Sequence, residues 1–459
     1  MKTFMTIVVF AFATTFAVAQ KNTQKTDPRI PLKPENWEVR NAETKFVDHK
    51  GVPSIEMHGG AVIAKNIDFT NGTIEFDVDQ PQGFVGIYFR RQGDENSEFF
   101  YLRGVADPPR SIDAVQYAPI IKKVNMWDMY PNYQTAADFK RDDWTHIKLV
   151  VSGMQMLVYV NDKHATLQVP RLEGNTKNGS IAFEGNCFVS NVVVKLNETE
   201  GLNPNEGFDP TYNDIRYIRN WQVSQPMPLP RGQELSNDNM PDIQTNWQPI
   251  TAERGGLVNI TRLYGQSDNR RFVWLRSKIV AKTARKLKVD FGFSDEVWVF
   301  VNDRTTFVDK NLYGQGMRKK PDGRISIQNA GFEMQLKEGE NEVVIGLSND
   351  FYGWGIIAHL DDLEGISLNT DFKPEVINKD FQQYFGMYSS KDVPVKVKVS
   401  QRNNKLSLMP TAESPILFDS TGAGTFKSES QDNVTIEFSV SENKMTFRNG
   451  TQTYTFFRE

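Results

Sequence analysis

Glu75 and Asp77 lie two residues apart in the run Gly-Thr-Ile-Glu-Phe-Asp-Val-Asp (72–79). Side chains at i and i+2 of a strand share a face, about 6.6–6.8 Å apart along the backbone. Carboxylate pairs that cleave glycosidic bonds with inversion stand about 6.5–9.5 Å apart. The pair therefore suits a hydrolytic dyad, and equally the ion pairs of an inert strand.

A second set follows from alternation. If Ile74, Phe76 and Val78 face a core, then Glu75, Asp77 and Asp79 face outward. By the same period Tyr88 and Arg90 point out beside Val85, Ile87 and Phe89. Tyr101 and Arg103 point out beside Phe100 and Leu102, and Gln116 joins them. Trp127 and Tyr130, in the loop 125–133, are placed to wall one end. Rings that cover C–H surfaces and planar groups that bond paired hydroxyls suit a sugar. The expected ligand contacts are Arg90, Tyr101, Arg103, Gln116 and Trp127. Cross-strand ion pairing on a solvated sheet is the competing explanation of the same charges.

Other chemistry finds little support. The single cysteine, Cys187, excludes a disulfide framework and a cysteine-based zinc site. The five histidines form no H-x-x-x-H or H-E-x-x-H pair. No phosphate-binding glycine loop and no G-x-S-x-G elbow occurs. No cofactor is expected. Asp295 with Glu296, or Asp361 with Asp362, could offer oxygens to a structural calcium, although no D-x-D-x-D loop is spelled. Lys plus Arg total 53 against 57 acidic residues, so no basic excess exists to hold a nucleic acid.

The elements that must carry these residues are strands. Runs of four to eight residues rich in Val, Ile, Phe and Tyr alternate with turn residues, as in 83–90, 98–103, 144–151, 156–160 and 189–196. They lie too close together for crossover helices, which predicts antiparallel sandwiches. The pattern resumes at 271–280, 286–293, 296–302, 341–348 and 354–360. The last 79 residues hold six or so short strands, enough for a small barrel. Asn-Asp at 161–162 and 302–303 predicts two primed hairpin turns. Trp354, followed on its face by Ile356 and Ala358, reads as core more than as a sugar platform.

The order GTIEFDV, GFVGIYFR, FYLR, AVQY, WTHIKLVVSGMQMLVYVND, GSIAFEG and FVSNVVV resembles the concanavalin A-like lectin/glucanase superfamily with its laminin-G-like branch. The resemblance implies a jelly-roll sandwich whose concave face or edge loops often bind glycans. Its glucanases carry E-x-D-x-x-E or E-x-D-x-E. Here Asp79 and Gln80 stand where the last Glu belongs, although the segment also loosely resembles keto-disaccharide hydrolase domains. Residues 294–302, 337–342 and 351–355 resemble a galactose-binding-like β-sandwich. Residues 381–459, with Tyr384-Phe385-Gly386-Met387-Tyr388, resemble the small β domain that follows β-lactamase-type serine hydrolases; the Ser-x-x-Lys partner motif is missing.

The fold expected is all-β: signal peptide 1–19, arm 20–34, concanavalin A-like domain 35–197, linker 198–213, galactose-binding-like sandwich 214–366, linker 367–380 and C-terminal β domain 381–459. Lys2, the apolar run 4–16 and Ala17-Val18-Ala19 spell an export leader. No later stretch reads as a membrane span. The sequence thus reads as a soluble exported carbohydrate-binding protein without catalysis. A glycan-acting hydrolase using Glu75 and Asp77, or a structural or protein-binding envelope module, are the alternatives.

Overall fold

The computed structural model describes residues 28–41, 43–104, 110–139, 142–161, 163–314, 316, 318–321, 323–369, 376–411 and 413–459. The expected leader and residues 20–27 of the arm lie outside them. Strands make up 54% of the described residues and helices 5%, so the protein is all-β.

Two long antiparallel strands, Gly72–Gln92 and Ser180–Leu196, form the spine of the first body. The first half of Gly72–Gln92 pairs with Thr145–Ser152, with Phe76 opposite Ile147. The second half pairs with Asn96–Arg103, with Ile87 opposite Phe100. Between the halves Gln80 and Gly83 take φ of 52° and 65°, so the strand turns a corner. Ile74, Phe76 and Val78 before the corner, and Val85, Ile87 and Phe89 after it, join one apolar cluster. Both halves therefore look onto the same core, and the sheet closes on itself as a sandwich. Their outer faces point away from each other.

Alternation fails at Arg90. It has φ of 48°, and the pairing slips between Phe89 and Gln92. The bulge swings the side chain inward, where Arg90 donates to Thr70 O (2.8 Å), Asn71 Oδ1 (3.2 Å) and Gly153 O (2.8 Å).

Residues 198–213, expected as a linker, are strapped to the first sandwich. The Met154 N–H donates to Pro204 O and the Gly207 N–H to Pro170 O, both at 2.8 Å. Gly153 has φ of 52°, and a Cβ there would sit 2.1 Å from Pro204 O, so only glycine allows the strap to lie down.

In the second body an eight-stranded sheet containing Arg271–Ala281, Glu296–Val301 and Gly339–Asn349 packs on a four-stranded sheet containing Arg285–Ser294 and Gly355–Leu360. Trp354 is fully buried in the cluster between them. Asn302 and Asp303 take φ of 49° and 65° and join Val301 to Arg304, the expected primed turn. Of the other expected pair, Asp162 lies outside the described residues; beyond Asn161 the next pairing is Leu167 with Val158. The third body is a closed barrel of eight strands rather than six, sealed where Gly386–Ser389 pairs with Gln452–Arg458. Phe381 and Tyr384 fill its interior, and the Tyr388 hydroxyl donates to Tyr384 O at 2.9 Å. Among the described residues no helix is long and apolar enough to cross a membrane.

Phe183 packs against Phe76 (ring centroids 5.0 Å) and Trp37 (5.9 Å) in the first core. Phe183→Ala should lower stability by about 3–5 kcal/mol, read as a reduced urea midpoint. Phe84→Ala, at a side chain 61% exposed, should leave it within about 0.5 kcal/mol.

Candidate functional site

The outer face of the second half of Gly72–Gln92, with the neighbouring strand Asn96–Arg103, forms the floor of a cleft of about 590 Å³. Tyr88, Phe99 and Tyr101 stack across this floor, with ring centroids 4.2 and 5.0 Å apart and planes within 16° and 19°. Gly86 makes the stack possible. A Cβ at Gly86 would lie 2.6 Å from the Phe99 ring and 2.7 Å from Tyr101 Cβ. Rings stacked on one another offer edges to a ligand, not faces, and Phe99 and Tyr101 are buried.

The exposed rings come from elsewhere. Phe84 stands at one rim, 61% exposed. The opposite wall belongs to the second body: Tyr313, Phe351 and Tyr352 line the cleft. Tyr313 and Phe351 lie parallel within 2°, with centroids 6.2 Å apart, and are 44% and 40% exposed. Trp127 sits between the two bodies, edge-on to Tyr313 and Tyr352, with the Arg324 guanidinium 5.0 Å above its ring.

The polar groups are fixed from behind. Gln116 is fully buried and touches the cleft only through others. Its Oε1 accepts from the Tyr101 hydroxyl (2.8 Å) and Arg103 Nη2 (2.6 Å), while its Nε2 donates to Trp127 O (2.8 Å). One amide thus orients three of the residues expected to meet a ligand. Arg103 also donates to Asp113 O and lies over the rings of Tyr101 (5.1 Å) and Phe84 (5.6 Å). Lys123 lines the cleft and is exposed. The Asn125 Oδ1 is buried there without a partner. The cleft's carboxylates are engaged: Asp94 binds Arg91, and Glu184 accepts from the Tyr88 hydroxyl at 2.7 Å. Burial beside Glu184 raises the Tyr88 hydroxyl's pKa, so it stays a donor.

Tyr101, Arg103 and Trp127 therefore converge at the cleft, with Gln116 beneath them. Arg90 does not, for the reason given by its bulge. Tyr130 is buried in the seam between the bodies, not at the cleft: its hydroxyl bonds Glu253 (2.9 Å) and Arg262 (3.0 Å). Glu75 and Asp77 belong to the other half of the long strand, on a different outer face. Glu75 accepts from Lys195 Nζ at 2.6 Å, and Asp77 from Asn191 at 2.6 Å; Asp77 also bonds His146 Nδ1 at 2.7 Å. They stand as cross-strand ion pairs away from the cleft, which corrects their expected placement with the ligand contacts. Phe84, Tyr313 and Phe351 escaped the sequence reading. Their one signal is an aromatic next to a turn glycine or asparagine, at Gly83-Phe84, Tyr313-Gly314 and Asn349-Asp350-Phe351.

The oxygens expected to suit calcium are bound by donors. Asp295 Oδ2 accepts the N–H of Asp350 (2.6 Å) and Phe351 (2.8 Å). Glu296 accepts from Arg270 Nε (2.8 Å) and Ser348 (2.6 Å), and Asp362 from Arg285 (2.7 Å). Among the described residues no group of three or more His, Cys, Asp or Glu is arranged to hold a metal.

Fold and cleft together define an all-β protein of several bodies with an aromatic, guanidinium-bearing cleft between two sandwiches. No family model matches the chain, and no curated protein matches it. Solved structures similar to it include the carbohydrate-binding module CBM66 from Bacillus subtilis, with 13% identity, 35% of this chain and 92% of that one covered, and a TM-score of 0.26. Another is the Caenorhabditis elegans galectin LEC-6, with 16% identity, 36% and 99% covered, and a TM-score of 0.21. A third is the exoplasmic/lumenal domain of VIP36 bound to Ca²⁺ and Man3GlcNAc, with 11% identity, 40% and 99% covered, and a TM-score of 0.26.

Behind the floor, Glu98 points into the sandwich and accepts from the Tyr117 hydroxyl (2.5 Å) and the Gly174 N–H (3.2 Å). Glu173 accepts from the Tyr133 hydroxyl at 3.0 Å. Burial pushes both carboxyls up to about 7. A folded-state value above the unfolded one means their stabilisation is complete below pH 4.5 and lost as pH rises through about 7. Glu98→Gln keeps an acceptor for Tyr117. It should flatten the fall in unfolding free energy over that window, by up to about 3 kcal/mol in urea titrations at a series of pH values.

Proposed function

We propose that the protein binds carbohydrate in the cleft between its first two bodies. One observation carries this: exposed rings from both bodies line one cleft with a guanidinium held still by a buried amide. Pyranose rings present C–H faces that cover aromatic rings and hydroxyl pairs that a planar donor can bridge. The volume lies within the range of small-ligand sites, about 300–1,000 Å³, and accommodates a short oligosaccharide. Arg103, already immobilised, loses little entropy on binding. The platform is Phe84, Tyr313 and Phe351. Tyr101, Gln116 and Trp127 build and orient the floor.

Binding without catalysis accords with the engaged state of Asp94 and Glu184. The leader-like residues 1–19 support placing such a protein outside the cytoplasm.

The whole chain should retain oligosaccharides on a glycan array. Phe84→Ala and Tyr313→Ala should each weaken the positive ligand about tenfold or more by calorimetry, the loss of one ring contact, with unchanged melting temperature. Glu75→Gln should bind like the parent. An array silent for every glycan, or affinities indifferent to both aromatic substitutions, would remove this reading.

A further inference from the structure

Two of the three rings that the second body lends to the cleft, Phe351 and Tyr352, lie on one short loop, and two buried carboxyls hold it. The Asp350 and Phe351 N–H groups donate to Asp295 Oδ2, at 2.6 and 2.8 Å. The Gly353 N–H donates to Asp128 Oδ2 at 3.1 Å. Tyr352 between them has φ of 54° and returns its carbonyl to Asn349 Nδ2 at 3.1 Å. Asp128 comes from the first body and Asp295 from the second, so the loop is gripped from both sides of the seam. The two side chains are 1% and 3% exposed.

We propose that Asp128 and Asp295 form a proton-operated latch that fixes the Phe351–Tyr352 wall of the cleft when the pair carries a proton and releases it when both are ionised. This regulation of the cleft rests, for its effect on ligand, on the carbohydrate reading above.

Among the described residues, the charges acting on the pair leave it short of a counter-ion. Arg324 is the cation facing Asp128, and it already binds Asp113 at 2.9 Å. On the Asp295 side the nearby charge is another acid, Asp350, itself paired with Arg231 at 3.2 Å. Asp128 Oδ1 is buried with no hydrogen-bond partner, an oxygen free to carry the proton. Two like charges in such a place cannot both persist cheaply. Burial pushes Asp295 up to about 7, and burial with the Asp295 charge drives Asp128 well above the carboxylate range. The protonated pair still offers an oxygen to each loop N–H, so the grip holds at acid pH. Once both are ionised, their repulsion and their lost hydration outweigh the strengthening that ionisation gives the N–H bonds.

Amide hydrogen exchange across the 349–354 peptide of the full chain, corrected for intrinsic rates, tests this directly. Protection should fall about tenfold or more as the pH is raised from about 6 through neutrality into the alkaline range. Asp128→Asn keeps the acceptor and removes the charge, so it should hold protection level. Asp295→Asn is the second variant should the first fail to fold. Because Glu98 and Glu173 titrate in the same window, the fall must be larger at 349–354 than in the core strand Asn96–Arg103. Level protection in the parent, or an equal fall in both variants, would overturn the latch. The exchange experiment needs no ligand. A glycan array silent at acid and alkaline pH alike would remove the carbohydrate reading while the exchange result still judged the latch.

Discussion

Two β-sandwiches meet here across a seam where Leu257 and Ile325 join the first body's apolar cluster and where ionised and hydroxyl groups, partly withdrawn from water, each need a partner. The Tyr130 hydroxyl sits among Glu253, Asn259 and Arg262, at 2.9, 3.2 and 3.0 Å. Arg262 also donates to Glu173 O at 2.8 Å, back in the first body. Breaking one member would strand the others in a low-dielectric setting. The seam therefore holds the bodies in one register, and the cleft, built half from each, inherits its shape from that register. Apolar contact alone would tolerate sliding; the directional bonds beside it do not.

The first body supplies the other constraint. A single strand that turns a corner at Gln80–Gly83 serves two layers with one core. Its residues before the corner present Glu75 and Asp77 to one outer surface, and those after it present Tyr88 to another. Carboxylates and aromatic floor thus end up on different faces of a strand that looks continuous. The Arg90 bulge then removes one guanidinium from the floor and spends it inside, near Glu98, where an unpaired carboxylate would otherwise be costly.

Much of this architecture was legible. Period-two runs marked the strands, the Asn302-Asp303 pair marked its turn, and Trp354 read as core beside Ile356 and Ala358. The closeness of Tyr101 and Arg103 followed from alternation along one strand. Legibility stopped where alternation broke. A bulge leaves no mark in a run such as Gly-Ile-Tyr-Phe-Arg-Arg, because positive φ at an arginine is set by the pairing of neighbours.

The sequence by itself determined the fold class and the first body's aromatic floor, since both depend on short-range periodicity and on which side chains water rejects. It also contained Gln116, but not that this amide would be the hidden brace of Tyr101, Arg103 and Trp127. Tertiary structure alone decided where the ligand wall comes from. Tyr313 and Phe351 lie some 200 residues or more from the floor they face. Only the docking of one sandwich on the other brings them there, and docking is a property of surfaces that no local pattern records.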